Sequence, residues 1–312
     1  MFASLQRIGM VGVASAAICA AALVYLVWRN ADGWSALRHS FDDRYLFVAF
    51  VFHACALLTA AYSWHWIVGA VASEGSLTRN VRIYVTSAFA RRLPGSLWGP
   101  ALRMYWYRRL GGDWRTVGVA SVLEVWALTI SGALIALIGV AFFVGSTVDA
   151  QTWVGLALVL VVFGSLFAPK VNQWLLSRLA RLLRTPANAT QSLRSLELAR
   201  WVAIEFVNWI CGGFMLAAIL RALTPYPLDL IPSVLASWAA AGTAGMLITF
   251  VPGGFGVVEL TLTGLLSFLV PTPEALAAAI GLRLFVTACE LLWMAAGFAA
   301  PSALAIVRPA KQ

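Results

Sequence analysis

Long apolar runs separated by short polar breaks set the pattern of this chain. They predict about eight transmembrane helices, in residues 1–29, 45–71, 116–144, 153–168, 201–223, 229–250, from the Pro252-Gly253-Gly254 break to Val270, and 275–307. Several runs reach the roughly 20 residues that cross a bilayer core. The first run is longer than the 7–15 apolar residues of a signal peptide, so it is expected to be a span. The fold class is therefore all-α integral membrane, a single polytopic domain over 1–312. Four-span halves, 1–168 and 200–312, would be joined by a basic cytoplasmic loop, 169–199.

Two stretches break the pattern and are expected to be re-entrant or interrupted, near 81–100 and 250–260. In the first, Val81 to Leu93 has an amphipathic character and stops at Pro94-Gly95, with a further break at Gly99-Pro100. In the second, Val251-Pro252-Gly253-Gly254-Phe255-Gly256 separates two apolar runs and Glu259 follows. Proline removes a backbone donor and glycine bares the backbone. Lipid cannot satisfy those groups, so such backbone belongs where protein or a wet cavity surrounds it. The two breaks follow the second and sixth runs, equivalent places in the two halves, and both are expected on the cytoplasmic side as parts of a parallel repeat. Interrupted segments in matching positions point to a transporter's substrate site.

Composition sharpens the class. The 312 residues are 61% hydrophobic and 11% charged, against about a quarter charged in a soluble domain. The net charge of +9 is read as topogenic, with no nucleic-acid partner expected. Arginine clusters in 73–115 and 169–200, whereas the turns at Asp149, Asp229 and Glu274 are almost free of it. Eight spans with both termini in the cytoplasm obey the positive-inside rule at every connection. Cys19, Cys55, Cys211 and Cys289 lie in apolar runs and read as small core residues. His53 and His65 are expected to be hydrogen-bonded to neighbours, and Trp64 and Trp66 to sit in an interfacial belt.

Charged groups inside spans are costly and mark candidate function. They are Glu124, Glu205, Glu259, Arg283 and Glu290. Arg283 and Glu290 are two turns apart on one helical face, so each meets either the other or a partner on another span. A buried ion pair that only fixes packing and a polar path for a charged headgroup are both consistent with that spacing.

Arg92-Leu93-Pro94-Gly95, the glutamate of Ser121-Val122-Leu123-Glu124, the Pro252-Gly253-Gly254-Phe255-Gly256 turn with Glu259, and the later Arg283 together resemble the transmembrane-domain family of lysylphosphatidylglycerol synthase. The resemblance is most specific from Val251 to Arg283. It implies a bacterial inner-membrane helical protein with re-entrant segments that handles anionic phospholipids or polyprenyl-linked lipids. Members often carry a base after the first Pro-Gly and before the second glutamate; this chain has Ser96 and Val258 there. Without the soluble aminoacyl-transfer domain of full-length synthases, lysylphosphatidylglycerol synthesis is not expected.

The leading expectation is a flippase-like lipid transporter with no cofactor, no metal and no enzymatic activity. Its partners are an anionic membrane lipid and the bilayer. Its substrate-binding candidates are Arg91, Arg92, Pro94, Gly95, Arg103, Glu124, Pro252, Gly253, Gly254, Gly256, Glu259, Arg283 and Glu290. Arginines would meet phosphate, and Glu124 and Glu259 would orient them or relay protons. One alternative is a membrane glycosyltransferase using polyprenyl-phosphate sugars, with Asp42 and Asp43 holding a divalent metal. The other is a non-transporting accessory subunit of a lipid or polysaccharide pathway.

Overall fold

The computed structural model describes residues 21–29, 41–73, 76–92, 98–144, 178, 195–247 and 254–299. The expected 153–168 span, Pro94-Gly95, Pro252-Gly253 and most of 169–199 lie outside the described residues. Residues 21–29 are helical. The further helices are α1 (Arg44–Ala72), α2 (Leu77–Ala88), α3 (Trp98–Arg109), α4 (Trp114–Val144), α5 (Ser195–Leu223), α6 (Ile231–Leu247), α7 (Val257–Leu266) and α8 (Thr272–Ala299). Short 3-10 turns at Phe89–Arg92 and Leu228–Leu230 extend α2 and introduce α6. Among the described residues there is no strand, and five helices are long and apolar enough to cross a membrane. The expected count of eight is not confirmed among the described residues.

The expected span 153–168 and most of 1–29 lie outside the described residues, and two helical hairpins pack among the long helices. The second is built from α6 and α7. Three contacts set α6 antiparallel to α4 in one constant register: Thr129 to Met246, Gly132 to Thr243, and Gly139 to Ala236. In that register Leu247, the last described residue of α6, lies beside Leu128 of α4. Helix α7 has ten residues, about 15 Å of rise, half of what a bilayer core requires. A tight turn joins it to α8, where Ser267, Phe268, Leu269 and Val270 hydrogen-bond back to the last turn of α7. Helices α6 and α7 thus lie side by side as the arms of one hairpin, of which α7 is too short to cross.

The first hairpin, α2 and α3, enters from the opposite end. Arg82 donates to the Gly297 carbonyl at 3.1 and 3.0 Å, near the last turn of α8. Arg91 reaches Glu290 farther in, so α2 descends from the end where α8 finishes. A Schellman stop closes α3 at the same end: Gly112 N–H bonds Tyr107 C=O at 2.9 Å and Gly111 N–H bonds Arg108 C=O at 3.1 Å. Gly111 takes φ 87° there, a backbone region glycine enters without a β-carbon penalty. Gly99-Pro100 does not break α3. It forms the first turn, where the missing proline N–H has no helical partner to lose.

The expectation that both breaks face the same side is therefore corrected. Each hairpin also packs across the bundle: α2 on α8 and α6 on α4, while α3 stays on α4 and α7 on α8. Helix, hairpin, helix recurs as α1 to α4 and α5 to α8 with the second unit inverted. The expected parallel relation gives way to an inverted one. Helices α1 and α5, the first of each unit, share the most extensive contact. Small residues permit the close approaches, as membrane packing favours. Trp209 lies across Gly132 and Gly242, where any β-carbon would collide with its ring.

Candidate functional site

The first hairpin delivers two arginines into the bundle. Helix α2 is amphipathic and buries Ile83, Tyr84, Thr86, Ser87 and Ala88; the 3-10 turn that follows carries Arg91. Its stem runs over Gly99 of α3, where a β-carbon would overlap Arg91 Cγ. Arg91 Nη1 donates to Tyr84 Oη at 3.4 Å, and Nη2 stands 4.0 Å from Glu290 Oε1 of α8. Its side chain keeps 37% exposure while Glu290 keeps 5%.

Arg103 lies deeper. Its Nη1 is 2.7 Å from Glu124 Oε2 of α4, and both side chains are sealed. The approach is off the hydrogen-bonding line, so neither atom has an aligned hydrogen bond. The guanidinium sits 4.1 Å from the Trp64 ring centroid and 5.1 Å from that of Tyr84, a cation–π cage that replaces part of the lost hydration. The cage is itself fixed: Trp64 Nε1 donates to Tyr107 Oη at 3.1 Å, Tyr107 Oη donates to Asn80 Oδ1 at 2.8 Å, and Asn80 meets His65 Nδ1 at 2.9 Å. Trp64 is thus a buried wall of the site, not the belt residue the sequence suggests. Trp66 is partly buried under Arg200, 3.7 Å from its ring centroid.

Glu205 of α5 completes the cluster. It is 1% exposed, takes a 3.0 Å hydrogen bond from Asn208 and lies within electrostatic reach of Glu124 and Arg91. Tyr84, Ser87, Ala88, Arg91, Gly99 and Arg103 line a seam of about 140 Å³ that admits no water-sized sphere.

The second hairpin makes a separate ion pair. Gly254 and Gly256 adopt φ 63° and 81°, which turns the chain into α7. Glu259, in the first turn of α7, accepts Gly256 N–H at 2.6 Å through Oε2 and pairs with Arg283 Nε of α8 through Oε1. Its charge also suits the positive helix N-terminus. Val258 packs against Gly254 and Gly245. It packs at the hairpin tip.

Of the expected site residues, Arg91, Arg103, Glu124 and Glu290 converge in one cluster, whereas Gly254, Gly256, Glu259 and Arg283 form the second locus. Pro94, Gly95, Pro252, Gly253 and the Arg92 side chain lie outside what is described. Sequence reasoning left Tyr84, Trp64, Asn208 and Glu205 out of the site. Only Glu205 carried a signal, as a charge inside a span. Asp42 Oδ1 accepts Arg44 N–H at 3.1 Å, a local turn at the start of α1. Among the described residues no three His, Cys, Asp or Glu are grouped as metal ligands.

Comparison with curated proteins gives no match. The chain matches the lysylphosphatidylglycerol synthase TM region over residues 10–293. Buried ion pairs held by two helical hairpins thus belong to a member of the lysylphosphatidylglycerol synthase transmembrane-region family.

Proposed function

We propose that this protein moves an anionic phospholipid or polyprenyl-linked lipid across a bacterial cytoplasmic membrane, its arginine-rich end in the cytoplasm. Two opposed hairpins, each with an arginine–carboxylate pair inside the bundle, are the observation that carries the reading. Inverted units with broken helices suit alternating access around a mid-membrane site. Family membership supports a lipid-related role.

Arg91 is the first contact for the headgroup. It is the more exposed arginine, and its 4.0 Å contact with Glu290 yields to phosphate without breaking a short bond. Guanidinium and phosphate oxygens match in fork geometry. Arg103, held by Glu124, supplies charge behind it. The closed seam lies between the two arms of the first hairpin, which must part before a headgroup fits. No phosphate-binding loop for nucleotide occurs in the sequence, so a gradient or simple equilibration drives the movement.

The test uses vesicles containing fluorescent phosphatidylglycerol and reads the fraction bleached by an impermeant reductant. Wild-type protein should render both leaflets accessible and Arg91→Gln should not. Normal movement by Arg91→Gln removes Arg91 from the site. Wild-type protein that retains phosphatidylglycerol without moving it supports the accessory role instead.

A further inference from the structure

We infer that the Asn80–Tyr107 hydrogen bond is a clasp that keeps the first hairpin shut, and that a proton on His65 releases it. The inference rests on the lipid reading above and names the regulation of its site: acid on the arginine-rich side admits the headgroup.

The clasp joins the two arms, Tyr107 of α3 donating to Asn80 Oδ1 of α2 at 2.8 Å. Asn80, Tyr107 and Trp64 are all sealed from solvent. The direction of every bond in this chain follows from one donor. An indole N–H can only donate, so Tyr107 Oη accepts from Trp64 Nε1 at 3.1 Å and turns its own proton to Asn80 Oδ1. The other half of that amide, Nδ2, is then the donor that meets His65 Nδ1 at 2.9 Å. An Nδ1 that accepts is bare, which leaves the ring neutral with its proton on Nε2.

A second proton on the ring sets a donor against a donor. If the Asn80 amide turns over to offer Oδ1 to His65, the Tyr107 hydroxyl loses that acceptor. If the amide stays, two N–H groups oppose each other and push Asn80 from its seat. Both responses weaken the clasp, and the arms then part along the seam lined by Ser87, Arg91 and Arg103.

His65 is placed to take that proton. It is only partly buried, two turns before the end of α1, and an imidazole ordinarily changes charge between about pH 5 and 8. Around it, Arg79 precedes Asn80 on α2 and Arg200 of α5 covers Trp66. The Arg103–Glu124 pair of α3 and α4 lies across the Trp64 ring. Among the described residues no carboxylate lies within ion-pair distance of His65, so no fixed partner holds the ring in its charged form.

The full chain carrying nitrogen-15 histidine, in detergent, identifies His65 as the resonance missing from His65→Asn. At about pH 7.5 it should read as a neutral ring protonated on Nε2; a neutral ring protonated on Nδ1 overturns the clasp. Opening is read by a water-soluble thiosulfonate on Ser87→Cys in a cysteine-free background. Its rate with His65 present is divided by its rate with His65→Asn, which keeps an acceptor oxygen, takes no proton and cancels the thiol's own titration. From about pH 7.5 to about 5.5 the ratio should rise about fivefold, the worth of one hydrogen bond. A ratio that stays level or falls overturns the release. Phosphatidylglycerol movement in vesicles should rise over the same range in wild type and stay level in His65→Asn. A level wild-type profile beside a rising ratio overturns the regulation of transport. No movement by wild type at any pH overturns the lipid reading, while the histidine resonance and the cysteine ratio still decide the clasp.

Discussion

Arg283 and Glu290 stand two turns apart on α8, and each meets an opposite charge from a different hairpin. Arg283 pairs with Glu259 at the start of α7, while Glu290 faces Arg91 after α2. The separation along the axis is about 10 Å. One helix therefore ties together two hairpins that enter from opposite ends, with base and acid exchanged between the two ties. Any movement that opens one hairpin strains a contact on the strut that holds the other.

Glu259→Gln keeps the side chain's size and an acceptor for Gly256 N–H but removes the charge that pairs with Arg283. It should destabilise the protein by about 3 kcal/mol, the lower end for breaking a buried pair. It should also abolish lipid movement in vesicles. Arg283→Ala should do the same. Normal movement by both variants would exclude this locus from the transport path.

The sealed Arg103–Glu124 pair separates stability from function. Either residue changed alone to leucine leaves a buried charge unpaired, at about 3–5 kcal/mol. Changing both to leucine should restore most of the thermal stability in detergent, because the desolvated charges disappear together. Transport should stay lost. A double variant that moves lipid at the wild-type rate would reduce the pair to a packing device.

Opposed hairpins make a topological prediction. In a cysteine-free background, Arg109→Cys and Glu274→Cys should react with an impermeant maleimide from opposite faces of the membrane, Glu274→Cys from outside. Labelling from the same face would refute the opposed arrangement, and outside labelling at position 109 would reverse the orientation.

Tyr226 gives a pH test away from the spans. Its hydroxyl donates to the Ala217 carbonyl at 3.0 Å, and burial pushes its pKa from the ordinary 10.0 up to about 12 against the opposing pull of Arg221. The folded state holds this proton more tightly than the unfolded chain. Its contribution is therefore complete below pH 10 and is lost as pH rises towards 12. Thermal unfolding of wild type should fall more steeply across that window than that of Tyr226→Phe. Parallel curves would refute the assignment.

By itself the sequence determined the solvent. Apolar runs with so few charges belong in a bilayer, and each in-span charge is expensive enough to need a partner. Glu124, Glu259, Arg283 and Glu290 were legible as site residues for that reason, and Gly254 and Gly256 because a turn beside lipid requires unusual backbone. The sidedness of the second break was not legible. Residues 251–258 carry no charge, and turning two spans into one hairpin leaves the parity of crossings unchanged. The positive-inside rule fits either arrangement equally well. Only tertiary packing decided it, through the antiparallel register of α6 on α4 and the ten-residue α7 against α8. Packing also selected the partners: arginine pairs with whichever carboxylate the bundle brings near, and neither the Trp64–Tyr84 cage nor the seat of Glu205 leaves a local periodicity to read.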